Sequence, residues 1–172
     1  MVKITRFADV PQFTRYPDDH GHTPIRYIRD IVDQNIRDNN LQLCPDFQRG
    51  HVWTEAQQVS YVEYVLRGGK SGLDVYFNHP GWKTGEKGEY VCVDGLQRIT
   101  ALLRFVDNEI PAFGSLYSEF TDRLSISVGI VWHVNTLKTR KEVLTWYVEL
   151  NSGGTPHTDA EIDRVRKMIE EE

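Results

Sequence analysis

Apolar positions recur along this chain in two rhythms, and the alternation between them outlines the fold. Ile25, Ile28, Ile31 and Val32 lie on one face of a helix that runs to about Asn39, with Thr23 as its N-cap and Pro24 at its first helical position. Leu41-Gln42-Leu43 reads as a short strand ahead of Pro45. A second helix opens at Thr54-Glu55-Ala56-Gln57, presents Ala56, Val59, Tyr61, Val62, Val65 and Leu66 as a broad apolar face, and stops at Gly68-Gly69. Leu73–Phe77 and Glu89–Val93 have strand rhythm and are joined by a polar, glycine-rich stretch, which predicts a hairpin. Ile99, Leu102, Leu103 and Val106 return to the helical spacing. Residues 111–123 form a loop anchored by Phe113, Tyr117 and Phe120, and Leu124 to Asn135 alternates as one long strand or two short ones. A helix over Thr136–Asn151 and a last one opened by a Thr158-Asp159-Ala160-Glu161 capping box complete the pattern. Residues 1–22, with Pro11, Pro17 and the polar run Asp18 to His22, read as an irregular segment, and 23–172 as a single α/β (α+β) domain.

Composition narrows the function classes. The net charge of −5 argues against a protein that coats nucleic acid without specificity, so any nucleic-acid site must be a local basic patch. No apolar run is long enough for a membrane span and the N-terminus has no apolar signal core, so no membrane partner and a cytoplasmic location are expected. Cys44 and Cys92 are far apart in sequence, and reduced thiols are expected.

The chemistry concentrates in two stretches. In Tyr90-Val91-Cys92-Val93-Asp94-Gly95-Leu96-Gln97-Arg98 a strand turns sharply into a helix. Gly95 permits a positive φ or the close approach of another group. A helix start offers unpaired N–H groups and a favourable dipole to an anion. Arg98 sits in the first turn, where a cation is locally unfavourable unless something negative lies beside it. One reading is a phosphate cradle with Asp94 as metal ligand or base; the other is an ordinary turn in which Arg98 pairs with Asp94 or a distant acid. The second stretch, Asp46-Phe47-Gln48-Arg49-Gly50-His51-Val52-Trp53, packs an acid, an amide, a guanidinium and an imidazole into one loop. Arg49 can grip a phosphate or carboxylate with two bonds while Phe47 and Trp53 plug the core. Weaker signals have bland readings beside them. His20 and His22 fit a solvated loop better than a metal site, and His133 is a candidate base in a strand that also suits a structural histidine. Trp82 can stack on a base or serve as a packed lid, and Gly68-Gly69-Lys70-Ser71 follows a helix, the wrong order for a phosphate-binding P-loop.

Three segments together carry a family resemblance. Pro45-Asp46-Phe47-Gln48-Arg49-Gly50-His51-Val52-Trp53 resembles a Pro-x-(Tyr/Phe)-Gln-Arg-x-x-Val-Trp motif. Asp94-Gly95-Leu96-Gln97-Arg98-Ile99-Thr100-Ala101-Leu102 resembles Asp-Gly-Gln-Gln-Arg-Leu-Thr-Thr-Leu. Asn151-Ser152-Gly153-Gly154-Thr155-Pro156 followed by Asp159-Ala160-Glu161-Ile162 is similar to a third, weaker motif. Their order and spacing over roughly residues 24–165 are those of the N-terminal domain of GmrSD-type modification-dependent restriction endonucleases, within the ParB/sulfiredoxin-like superfamily.

The resemblance implies a small mixed sheet with flanking helices and a domain that binds and hydrolyses nucleoside triphosphates with Mg²⁺, in partnership with DNA or a protein such as a nuclease subunit. By position it implies Gln48 and Arg49 facing the phosphates, and Asp94 as metal ligand or catalytic acid. Gly95, Gln97 and Arg98 would lie around the phosphate, with Asn151 near the same site. Leu96 departs from the motif, replacing a glutamine and removing one polar contact. No HNH nuclease domain follows Glu172, so the expectation is a compact copy from a phage or mobile element without full restriction activity. Beside the phosphoryl-transfer reading stand a kinase variant with a hydroxyl acceptor, a non-catalytic nucleotide- or DNA-binding module that interferes with host restriction, and a structural protein in which Arg98 and Asp94 pair internally.

Overall fold

The computed structural model describes residues 4–6, 9–10, 19–48, 50, 52–152 and 159–172. Five strands form one mixed sheet in the order β1-β5-β3-β4-β2: β1 (Asp19–Pro24), β2 (Leu41–Gln42), β3 (Asp74–Asn78), β4 (Tyr90–Asp94) and β5 (Gly129–Asn135). The β1–β5 and β3–β4 pairs are antiparallel; β3–β5 and β2–β4 are parallel. Helices α1 (Ile28–Asn39), α2 (Glu55–Leu66), α3 (Leu96–Val106), α4 (Arg140–Ser152) and α5 (Asp159–Glu171) flank it.

Strand β4 shows why the sheet is central. Its residues Tyr90 and Cys92 join the core beneath α1, α2 and α3, while Val91 and Val93 join a second core with α4 and α5. A strand buried on both faces needs a continuous apolar run, which Tyr90-Val91-Cys92-Val93 supplies. On the first face Phe77 stacks on Trp132 at a centroid distance of 3.9 Å, and the Trp132 indole N–H donates to the Tyr90 hydroxyl at 2.8 Å. On the second, Phe47 meets Tyr147 edge to face at 5.2 Å.

Several boundaries differ from the sequence expectation, each for a local reason. Asp19–Pro24, expected as a polar loop and helix cap, is an edge strand antiparallel to β5. Thr23 therefore belongs to the ladder and caps nothing; Ile25–Tyr27 makes a 3-10 turn before α1 begins at Ile28. Residues 124–128 stay outside β5, which starts at Gly129. Helix α4 begins at Arg140 because Asn78 captures the backbone just before it: Leu137 N–H donates to Asn78 Oδ1 (2.8 Å) and Asn78 Nδ2 donates to Leu137 O (3.1 Å). Thr139 and Glu142 then exchange capping bonds, with Thr139 N–H to Glu142 Oε2 at 2.9 Å and Glu142 N–H to Thr139 Oγ1 at 3.2 Å. Helix α2 opens on Thr54 as its sequence predicts, and Gln57 completes a capping box with it. The box expected at Thr158 lies outside the described residues.

Candidate functional site

The turn from β4 into α3 holds the most constrained backbone of the site. Gly95 has φ 115°, and a Cβ there would lie 2.5 Å from Val75 Cγ1, so both conformation and space require glycine. Helix α3 starts directly after it with no side-chain cap and no acid in its first turn. Gly95, Leu96, Gln97 and Arg98 of that turn line a cleft of about 390 Å³, while the Leu96 N–H is bonded to the Cys92 thiol behind it. Gln48, Asp94, Gly95, Gln97, Arg98 and Asn151, named from three distant segments of sequence, all line it. Arg49 and the Gly153-Gly154-Thr155-Pro156 stretch lie outside the described residues.

What these side chains do is more specific than facing an anion. Gln48 Nε2 donates to the carbonyls of Cys92 and Val93, both at 3.0 Å. Those carbonyls sit where β4 bulges between its pairings with Phe77 and Tyr76, so Gln48 satisfies acceptors that the irregular ladder leaves open. Gln97 Oε1 accepts from the N–H groups of Val52 (3.0 Å) and Trp53 (3.1 Å), and its Nε2 donates to Gly50 O at 3.3 Å. The two amides expected around the phosphate are thus spent on fastening the 46–53 loop across the end of β4. That loop also drops Phe47 into one core and sets Trp53 against the other, where it meets Tyr61 edge to face at 5.4 Å. Arg140 doubly grips the Asp46 carboxylate at 2.7 Å, and Arg164 donates to the carbonyls of Asp46 and Phe47 at 2.9 Å. The first of these contacts holds the Asp46 carboxyl below the usual aspartate range.

The remaining charged pair is Arg98 and Asp94, joined in an ion pair one helical turn apart. Their side chains are 18% and 36% exposed, so water or a ligand reaches both. Asp94 is the only carboxylate on the cleft wall among the described residues. That fits a Mg²⁺ ion carried chiefly by substrate phosphates, since Mg²⁺ keeps water and commonly takes one or two protein carboxylates. It fits only if Asp94 turns from Arg98. Cys92, fully buried behind the turn, has its thiol pushed up by burial and is no nucleophile.

Sequence reasoning placed Tyr61 on the apolar face of α2, where it does pack, and missed it, Tyr64 and Ser71 as cleft residues; Ala56 of that expected face is exposed in the first turn of the helix. Tyr61 donates its hydroxyl to Gly72 O at 2.9 Å, and burial pushes its pKa up to about 12. Tyr64 lies 2.6 Å from Ser71 Oγ, and this contact lowers its pKa. Two tyrosines three apart near the end of α2, followed by Ser71-Gly72, were the available signal. His133 stands elsewhere. Its Nε2 is 2.7 Å from Asp74 Oδ1 and its ring stacks on Tyr76 at 4.8 Å. Tyr76 is in register with both His133 and Asp94, which places the imidazole two strands from Asp94, about 10 Å at ordinary strand spacing, and off the cleft wall. Trp82 is a packed lid: its indole donates to Asp19 Oδ2 at 2.7 Å and lies against Tyr90. No helix among the described residues is long and apolar enough to cross a membrane.

Comparison with curated proteins and with solved structures returned no match. The family model described as "GmrSD restriction endonuclease, N-terminal domain" matches residues 28–130, more than half of the chain and inclusive of both the 46–53 loop and the Asp94–Arg98 turn. The chain therefore belongs to the family of GmrSD restriction endonuclease N-terminal domains.

Proposed function

We propose that the cleft binds a nucleoside triphosphate by its phosphates and hydrolyses it in the service of DNA restriction. The observation that carries this reading is the uncapped start of α3 behind Gly95, with Arg98 already facing the same cleft. Backbone N–H groups, helix dipole and guanidinium all favour an anion at one place. Phosphoryl transfer asks little covalent chemistry of a protein and much placement of cations around charge. In this mechanism Arg98 leaves Asp94 and donates to the phosphate oxygens, which keeps it paired with an anion. The freed Asp94 carboxylate orients the attacking water or contributes to holding Mg²⁺, which when bound neutralises developing phosphate charge. Gln48 and Gln97 act at one remove: they tie Gly50, Val52 and Trp53 and the end of β4 together beside the cleft.

The Arg98–Asp94 ion pair also favours a second reading, in which the pair is structural and the domain binds a protein or DNA partner without turnover. One experiment separates them. Thermal melting with ATP, GTP, CTP and UTP, with and without Mg²⁺, should raise Tm for at least one nucleotide, since ligand at 100 times its Kd adds about 2.7 kcal/mol. The shift should vanish in Arg98→Ala, and phosphate release should vanish in Asp94→Asn with binding retained. No shift with any nucleotide, together with a large loss of stability in Arg98→Ala, would replace the hydrolase reading with the structural one.

A further inference from the structure

The 111–128 segment builds a second concavity that the cleft does not explain. It is the larger of the two, about 860 Å³, and shares no wall residue with the cleft. Tyr27, Phe105, Phe113, Tyr117 and Phe120 supply aromatic walls, and Phe105 meets Tyr117 and Phe120 edge to face at 5.3 and 6.2 Å. Among the described residues its charged wall groups are Arg26, Arg123 and one acid, Asp122, in a protein whose net charge is −5. A cationic aromatic pocket in an acidic protein is a local feature rather than a reflection of composition.

Two independent observations point to an absent occupant. The first is backbone strain. Ala112 and Ser115 exchange both backbone bonds (2.9 and 3.0 Å), closing a tight turn with Phe113 at φ 52° and Gly114 at φ 80°. Positive φ at both central positions suits Asn, Asp or Gly, and a bulky aromatic there is an outlier. Phe113 gains little burial in return, for it is 49% exposed. Its conformation is nonetheless enforced from α2: Glu63 Oε1 accepts the Phe113 N–H at 2.8 Å, and the Arg67 guanidinium lies 5.4 Å from the ring. Strained aromatics held by their surroundings gather at ligand clamps. The second is unfinished hydrogen bonding. Arg26 Nε is buried without a partner, while its Nη2 donates to the Tyr27 hydroxyl at 2.6 Å and its Nη1 to Leu124 O at 3.4 Å. Arg123 is exposed on the same wall and makes no hydrogen bond or ion pair to a described residue. The buried Arg26 Nε is a costly unpaired donor, and the exposed Arg123 fork beside it is open to an anion.

We infer that this cavity is a second ligand site, distinct from the Asp94–Arg98 cleft, that takes a single nucleotide: a planar ring stacked on Phe113 and its aromatic neighbours, with its phosphate between Arg26 and Arg123. The volume lies within the range of small-molecule sites, roughly 300–1,000 Å³. Sequence-tolerant stacking of this kind serves free mononucleotides and unpaired nucleotides of a single strand alike. This site does not rest on the hydrolase reading of the cleft.

The test uses the whole chain and two probes: calorimetric titration with AMP, GMP, CMP and TMP, and fluorescence anisotropy with a labelled single-stranded oligothymidine. Saturable binding is expected in at least one arm, weakened about tenfold by Phe113→Asn and by Arg123→Ala, and unchanged in Arg98→Ala. Phe113→Asn suits the turn, so its Tm should hold or rise, and lost binding would not be lost folding. Mononucleotide binding identifies a free nucleotide as the source; binding of the oligonucleotide alone identifies an unpaired base in a strand. No saturable binding with either probe, binding indifferent to Phe113→Asn and Arg123→Ala, or binding abolished only by Arg98→Ala would each overturn the second site.

Discussion

The cleft and the aromatic cavity treat their polar groups in opposite ways. Around the cleft nearly every side chain is already spent: Gln48 on two strand carbonyls, Gln97 on three loop groups, Arg98 on Asp94. In the cavity the buried Arg26 Nε has no partner, the exposed Arg123 bonds no described residue, and Phe113 carries strain while half exposed. The cleft gathers its wall from segments over a hundred residues apart, so it depends on internal bonds to keep them in register. The cavity draws most of its wall from one continuous stretch and needs fewer such ties. One region is rigid and must exchange a partner to bind; the other is held open and gains a partner by binding.

If that contrast is right, the cleft breaks by stability and the cavity by affinity. The largest effect is expected at Gly95→Ala. The new Cβ meets Val75 Cγ1 at 2.5 Å in a backbone of φ 115°, so strain and overpacking should together cost roughly 2–5 kcal/mol. For a domain of this size that is a fall in Tm of about 5–15 °C. An unchanged Tm would mean that the turn is looser than its geometry states. Next come Gln48→Ala and Gln97→Ala, each leaving backbone groups of the loop or of β4 without partners, at about 1–3 kcal/mol. Urea unfolding of the two variants should show the loss, while Arg123→Ala in the cavity should stay within about 0.5 kcal/mol of the parent.

How far the sequence revealed this arrangement depended on whether a residue's task was local. The periodicity of Ile99, Leu102, Leu103 and Val106 and the apolar run before Asp94 disclosed α3 and β4, because helical and doubly buried strand patterns are written in adjacent residues. The convergence of Gln48, Asp94, Gln97 and Asn151 on one cleft followed the order of the motifs. The jobs of the glutamines did not, since nothing near Gln48 in sequence announces a β4 bulge 44 residues away. Asp19–Pro24 was illegible for the same reason. A polar edge strand with one neighbour has no apolar alternation of its own, and only β5 makes it a strand. The late start of α4 likewise follows from Asn78, far upstream.

A finer comparison sets one cation of the cleft against one ring of the cavity. Arg98→Ala removes a partly exposed ion pair, and such pairs contribute at most about 1 kcal/mol, so Tm should fall by only a few degrees while the nucleotide-dependent shift disappears. Phe113→Asn removes a left-handed aromatic whose conformation costs roughly 1–2 kcal/mol, against the loss of its contact with Arg67. The balance should be near zero or slightly stabilising. A destabilisation of Phe113→Asn as large as that of Gln97→Ala would show that the ring is structural, and the contrast between the regions would fail at its clearest point.

The smallest effect concerns how the cleft loop is tied from behind. Arg140 grips Asp46 and holds its carboxyl below the ordinary aspartate range. With the folded pKa depressed, the folded state binds fewer protons than the unfolded one as pH falls through this range, so stability must fall with it. The contribution of the pair is complete above the ordinary aspartate range and lost as pH drops through the lower folded value. Asp46 is largely exposed, which limits the contribution to under about 1 kcal/mol and makes it sensitive to salt. The difference in unfolding free energy between the parent and Arg140→Ala should therefore be small at pH 7, shrink on acidification toward pH 3, and shrink again in high salt. A difference that is constant across pH would mean that Arg140 acts through its packing rather than through a carboxylate, and that the loop is fastened by Gln48, Gln97 and Arg164 alone.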